Sequence, residues 1–257
     1  MQLLKHLIKK YAWRWVFKNK VYGKAIGQNK NFISLLNGSS LFSKEKLNIF
    51  TVDDEDGVLL NIFTKIKTGN KIFVDIGSND CINSNCANLA FHHSWQGIFI
   101  DGNKSVLQRG RYIYSKYFKN EIGRFSFIHS IVTAKNINEI LKKHISHAEV
   151  DLLSIDLDGN DYFIWQAINV INPRVVVTEV QVEKGDTDFI PESSNEFELY
   201  ETGTPKGASP LSMIKLAAVK GYTLVAVNKG CYNLFFVRND CLGNLKTLTA
   251  DEALQKY

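Results

Sequence analysis

The chain has 257 residues, 45% of them apolar, and a net charge of +5, which suffices for one α/β domain with a large core of its own. No apolar run reaches the roughly eighteen residues that span a bilayer, and the N-terminus lacks an apolar core followed by small residues for signal cleavage, so a cytoplasmic protein is expected. Lys5, Lys9, Lys10, Arg14, Lys18, Lys20, Lys24 and Lys30 place eight cations and no acid in the first thirty residues, leaving the remainder near −3; this split excludes a globally basic nucleic-acid binder and assigns any anionic partner to the tail.

In that tail Leu4, Leu7, Ile8, Tyr11 and Trp15 recur at three- and four-residue steps, with Lys5, Lys9 and Arg14 mostly on another face. The pattern predicts an amphipathic basic helix. Such a helix either packs on the domain or makes peripheral contact with an anionic membrane, where Trp13 and Trp15 suit the interface. The expected partition is a basic helical extension over 1–68 and a main domain over 69–257. Cys81, Cys86, Cys231 and Cys241 form no CxxC pair, and reduced thiols are the default.

From residue 71 short apolar runs alternate with helical stretches, which predicts parallel strands joined by crossover helices. The strands are expected at 71–76, 97–101, 125–132, 150–156, 174–181, 222–227 and 233–237, seven in all. Helices are expected at 83–92, 104–117, 137–146, 161–170 and 210–220. Ser209 as N-cap, Pro210 at the first helical position and Gly221 just past the end mark the last of these. The final two strands lie too close together for a crossover helix and should form an antiparallel hairpin. The fold class is a Rossmann-like α/β sheet, mostly parallel, with helices on both faces.

The first strand ends in Val74-Asp-Ile-Gly-Ser-Asn-Asp80 and runs directly into a helix. In open α/β sheets ligands bind beyond the carboxyl ends of the strands, and Gly77 lets the backbone come close. A dinucleotide fold would need GxGxxG there to admit a pyrophosphate. One glycine flanked by acids instead repels diphosphate and suits a ligand carrying a sulfonium and an α-ammonium. The second strand ends in Ile98-Phe-Ile-Asp-Gly102, so Asp101 stands at the neighbouring tip, where a carboxylate can accept both hydroxyls of a ribose.

Four more acids, Asp156, Asp158, Asp161 and Glu179, fall at the ends of the fourth and fifth strands. Their mutual repulsion calls for a cation, a basic substrate group or a proton, and oxygen ligands of this kind suit Mg²⁺ or Ca²⁺. Alternatively, Asp158-Gly159 makes a tight turn and Asp161 sits in the first turn of a helix, favoured by its dipole. His129, near the end of the third strand, is a further candidate base. The segment 182–206 carries seven acids against two lysines and has the length of a lid over an acceptor; its charge disfavours nucleic acid at that mouth.

Taken together, residues 73–80, 97–103, Ile155-Asp-Leu-Asp-Gly-Asn-Asp161 and Gly207-Ala-Ser resemble the class I S-adenosylmethionine-dependent methyltransferases, and within them the bacterial FkbM-type methyltransferases, over roughly residues 70 to 240. The resemblance implies a seven-stranded sheet with a reversed last strand and methyl transfer to a hydroxyl, best fitted by a saccharide, a glycan precursor or a small metabolite. It implies that Asp75, Gly77, Ser78 and Asn79 line the methionine part, that Asp101 and Gly102 take the ribose, and that Ile131 and Val132 lie near the adenine. Asp156 would face the reaction centre, with Asp156, Asp158 or Glu179 as general base or Asp156 and Glu179 as ligands of Mg²⁺. Cys81 stands where the first motif commonly has another glycine, and Val180 where metal-dependent relatives often carry a ligand. Rival readings are a binding or scaffold protein that keeps the cofactor pocket without turnover, and an NAD-dependent oxidoreductase.

Overall fold

The structure, a computed structural model, describes residues 47–192 and 207–254. The basic segment 1–46, with its expected helix, and residues 193–206 of the expected lid lie outside the described residues.

Seven strands form one sheet: β1 (Ile72–Ile76), β2 (Gln96–Asp101), β3 (Phe125–His129), β4 (Glu149–Ile155), β5 (Asn172–Glu179), β6 (Tyr222–Val227) and β7 (Asn233–Arg238). Their spatial order is β3-β2-β1-β4-β5-β7-β6. The pairs β1–β2, β2–β3, β1–β4 and β4–β5 are parallel, while β7 runs antiparallel to both β5 and β6. The mixed sheet and its reversed last strand are therefore as expected. The inner strands are buried on both faces, which is why they read as apolar runs and not as alternating patterns.

Residues of successive parity feed two separate cores. Phe73, Phe99, Leu152, Val177 and Phe235 belong to one apolar cluster, Val74, Ile100, Leu153, Val176 and Phe236 to the other. The first is covered by α1 (Glu55–Ile66), α2 (Ala87–His92) and α3 (Lys104–Phe118); the second by α4 (Ile137–His144), α5 (Asp161–Ala167), α6 (Pro210–Val219) and α7 (Ala250–Leu254). Burial of side chains such as Phe73, Leu59 and Trp165 stabilises the fold by roughly 1.5–3 kcal/mol each.

The expected boundary at 68/69 does not hold for the residues described. Leu59, Leu60, Ile62, Phe63 and Ile66 of α1 are buried in the first cluster, and the Asp56 carboxylate accepts the Ile49 and Phe50 amides at 2.7 Å each. Residues 47–68 are thus a layer of the domain. Other differences lie at element ends, where polar side chains capture the backbone. The helix expected from residue 83 starts only at Ala87, because Ser84 Oγ donates to Asp75 at 2.6 Å and Asp80 accepts the Ile82 and Asn83 amides. β3 stops at His129, beyond which Asn136 takes the Thr133 amide and the Ile131 carbonyl. α5 ends at Ala167, whose carbonyl accepts from Asn138. Side chains that satisfy backbone groups locally compete with continued helix or strand.

Candidate active site

At the carboxyl end of β1 the chain turns at Gly77, with φ of +80°. Its amide and that of Ser78 both donate to the Ile100 carbonyl of β2. A Cβ on Gly77 would lie 1.7 Å from the Asp156 carbonyl oxygen, so glycine is required by the contact between the tips of β1 and β4. Left-handed backbone continues at Asn79 and Cys81, with φ of 46° and 58°. Cys81 therefore keeps the conformation that a glycine would adopt at lower cost, and it is held there by the Tyr114 hydroxyl, which donates to its carbonyl at 3.0 Å. Gly110 of α3 makes this possible: a Cβ there would meet the Asp80 carbonyl at 2.3 Å.

Asp101 ties the two strand tips together. One carboxylate oxygen accepts the Asn79 amide at 2.7 Å and the other the Asn103 amide at 2.6 Å. A carboxylate offers about four acceptor positions, so each oxygen retains capacity for a hydroxyl beside these bonds. Gly102 and Asn79 are exposed next to it, and Ser78 is buried beneath the turn. Asp75 is 3% exposed, and its carboxylate is turned onto Ser84. Burial pushes its pKa up to about 7. It thus braces the loop from within, whereas Asn79 and Asp101 present groups at the surface of the tips. Ile131 lies just past β3, beside the β2 tip, and is 52% exposed; Val132 packs partly against the second cluster.

A second group of acids stands on the far side of β1. Asp156, Asp158 and Glu179 each bring a carboxylate oxygen within 4.8 Å of the others. Asp156 keeps an accessible face, yet its recess among the strand ends and the charge of Asp158 raise its pKa; burial and the charge of Asp156 raise that of Glu179 further. The Glu179 and Asp156 carboxylates lie within 4.8 Å of each other, close enough that their mutual repulsion favours a proton or a cation between them. Three hard oxygen donors that must otherwise hold a proton fit a magnesium ion, which would release it.

Asp161 does not join this group. It is 2% exposed and accepts the Leu157 and Gly159 amides at 3.1 Å each, closing the turn in which Asp158 takes φ of 51° and Gly159 φ of 128°. His129 also stands apart. It pairs in register with Asp101 on β3, its Nε2 lies 3.0 Å from the Gly102 carbonyl, and three strand spacings of about 4.8 Å separate β3 from β4. It is no base for a reaction at Asp156.

Sequence reasoning missed the residues that flank Glu179 on its other side. Glu55, the first residue of α1, is 1% exposed and accepts from the side-chain amides of Asn228 at 2.9 Å and Asn233 at 3.1 Å. Asp54 accepts the Lys229 amide at 2.7 Å. The acid run Asp53-Asp54-Glu55 ahead of an apolar periodic stretch does signal a helix start, but nothing local says that it docks on a hairpin more than 170 residues away.

The chain matches no family model and no curated protein. Among solved structures it is similar to an O-methyltransferase from Bacillus cereus in complex with S-adenosylhomocysteine, at 13% identity and a TM-score of 0.47 over 80% of this chain and 91% of that one. A magnesium protoporphyrin IX methyltransferase from Synechocystis PCC 6803 with bound S-adenosylmethionine is 8% identical, with a TM-score of 0.45 over 72% of this chain and 77% of that one. The METTL16 methyltransferase domain is 12% identical, with a TM-score of 0.37 over 49% of this chain and 51% of that one, so the match spans about half of that domain.

Proposed function

We propose that the chain is a class I S-adenosylmethionine-dependent O-methyltransferase of the FkbM type, acting on a hydroxyl of a saccharide, a glycan precursor or a small metabolite. The observation that carries this reading is the Asp101 carboxylate spanning the tips of β1 and β2, on the same sheet face as the Asp156–Glu179 pair two strands away. That layout offers a ribose acceptor and a general base about 10 Å apart across β1, and it has no glycine cradle for a diphosphate.

S-adenosylmethionine, when bound, supplies the electrophilic methyl group. The protein's part is to orient and to move a proton. Asn79 and Asp101 fix the nucleoside end; the Asp156 carboxylate takes the proton of the acceptor hydroxyl as its oxygen attacks, a step in which correct placement supplies much of the rate. Glu179 and Asp158, whose carboxylates lie within 4.8 Å of that of Asp156, add negative charge that strengthens the base. A Mg²⁺ ion at this site would be held by Asp156 and Glu179, with Asp158 beside them, and would lower the pKa of the acceptor hydroxyl.

The acidic segment 182–206 favours a neutral or cationic acceptor over a nucleic acid. The eight cations of residues 1–30 support peripheral contact with the inner face of an anionic membrane from a cytoplasmic location. Among the described residues no helix is long and apolar enough to cross a membrane.

Calorimetry with S-adenosylhomocysteine tests the reading. Binding by the full chain, weakened at least about tenfold in Asp101→Ala as expected for losing a charge-assisted bond pair, supports it. Unchanged affinity in that variant overturns the ribose assignment, and a fluorescence change of NADH on mixing overturns the methyltransferase reading in favour of an oxidoreductase. Tight S-adenosylhomocysteine binding with no turnover of S-adenosylmethionine in the presence of saccharide acceptors would instead identify a binding protein.

A further inference from the structure

Four polar side chains stand in one row across the carboxyl end of the sheet. Glu179 is the register partner of Asn233 across the antiparallel β5–β7 pair, and the final parallel pair of β4 and β5, Ile155 with Thr178, brings Asp156 level with Glu179. Asn228 lies level with Asn233, whose amide donates to the Asn228 side chain at 2.9 Å. Parity puts the first three on one face: Val177, Phe235 and Leu152, each an even number of residues away, all belong to the cluster beneath α1. Directly opposed antiparallel residues on one face have Cβ atoms about 5 Å apart, so the Asn233 side chain neighbours that of Glu179. Asn233 is 8% exposed and gives an amide hydrogen to Glu55. Glu55 is itself fixed, since its second oxygen accepts the Asp53 amide at 3.0 Å.

We propose that Glu55 is a positioning residue for methyl transfer: by anchoring the Asn233 side chain, it fixes the place of the Glu179 carboxyl beside Asp156, so that α1 sets the geometry of the reacting end of the site. The role in catalysis rests on the methyltransferase reading; the coupling of Glu55 to Glu179 does not. Asn233 without Glu55 has a free choice of partners, the Glu179 carboxyl among them, and an amide drawn to that carboxyl turns it away from Asp156, whose carboxylate lies within 4.8 Å of it.

The test uses the full chain labelled with ¹³C at the glutamate side-chain carboxyl, with the Glu179 signal identified by its loss in Glu179→Gln. Glu55→Gln keeps an oxygen for both asparagine amides, so the fold is retained while the grip on Asn233 weakens. The Glu179 signal is expected to shift in Glu55→Gln and in Asn233→Ala, and the double variant should show no shift beyond that of Asn233→Ala alone. Asp54→Ala serves as a control for loosened docking, because it removes the Lys229 contact on the same turn and leaves Asn233 held; it should lower the melting temperature without moving the Glu179 signal. A Glu179 signal unchanged in Glu55→Gln, or equally displaced in Asp54→Ala, overturns the proposal and reduces Glu55 to a docking residue. Calorimetry on the same samples keeps the two readings apart: absence of S-adenosylhomocysteine binding by the unsubstituted chain would sink the methyltransferase reading while leaving the Glu55–Glu179 coupling to be judged by the spectra.

Discussion

Gly77 shows how a residue picked out for one reason is fixed by another. As a sequence feature it suggested close approach of a ligand; in the fold its missing Cβ makes room for the Asp156 carbonyl. Gly77→Ala therefore has to spread the tips of β1 and β4 or move the turn out of its left-handed conformation. The expected cost is at least about 3 kcal/mol, read as a drop in the urea midpoint, with loss of S-adenosylhomocysteine binding because the Asn79 amide leaves Asp101. A variant as stable as the parent would mean that the turn can relax freely. Asp161 teaches the complementary lesson. Its spacing after Asp156 and Asp158 was legible as one acidic group, but hydrogen bonds to Leu157 and Gly159 make it part of the turn. Spacing in a sequence does not say which way a carboxylate points.

At the scale of elements, strands and crossover helices were readable because their signals are local: apolar runs of strand length, and capping residues. Ser209 is the clearest case. It caps α6 as expected, accepting the Ser212 amide at 3.2 Å, and it also accepts the Phe189 amide from the described part of the segment 182–206. Ser209→Ala should thus cost about 1–2 kcal/mol, the upper part of the range for a helix cap, measured by chemical denaturation; a cost of only a few tenths would show that water replaces the hydroxyl at both amides. α1 was not legible as part of the domain, since its contacts run to strands far along the chain and the eight cations of residues 1–30 drew it into the basic extension. The packing of Leu59 at 0% exposure makes a firm claim: Leu59→Ala should destabilise the domain by about 2–5 kcal/mol in a single cooperative transition. A near-neutral effect, or a separate early transition for α1, would restore the extension as an independent unit. The order in which β7 inserts between β5 and β6 depends on an interaction that spans the whole sheet, and the hairpin signal alone left it open.

For the molecule as a whole, the collection of acids at one end of the sheet dictates an unusual pH response. Burial raises the pKa of Asp75 from 3.8 to about 7 and that of Asp161 from 3.8 to about 7, and it lifts Asp56 to about 6. An acid whose folded-state pKa lies above its unfolded value binds more protons in the native state, so its contribution is complete below the unfolded pKa and is lost as pH rises through the folded one. Stability should accordingly fall between about pH 4 and pH 7, by up to a few kcal/mol for a group shifted as far as Asp75. Asparagine at position 75 can still accept from Ser84 but has no proton to lose. Asp75→Asn is therefore expected to flatten the decline, leaving the smaller slope due to Asp161 and Asp56. Urea denaturation of both proteins across that range checks the sign: a parent stability that climbs toward neutrality, with the same slope in Asp75→Asn, would mean that Asp75 is ionised in the fold and that a cationic group at the strand tips balances it.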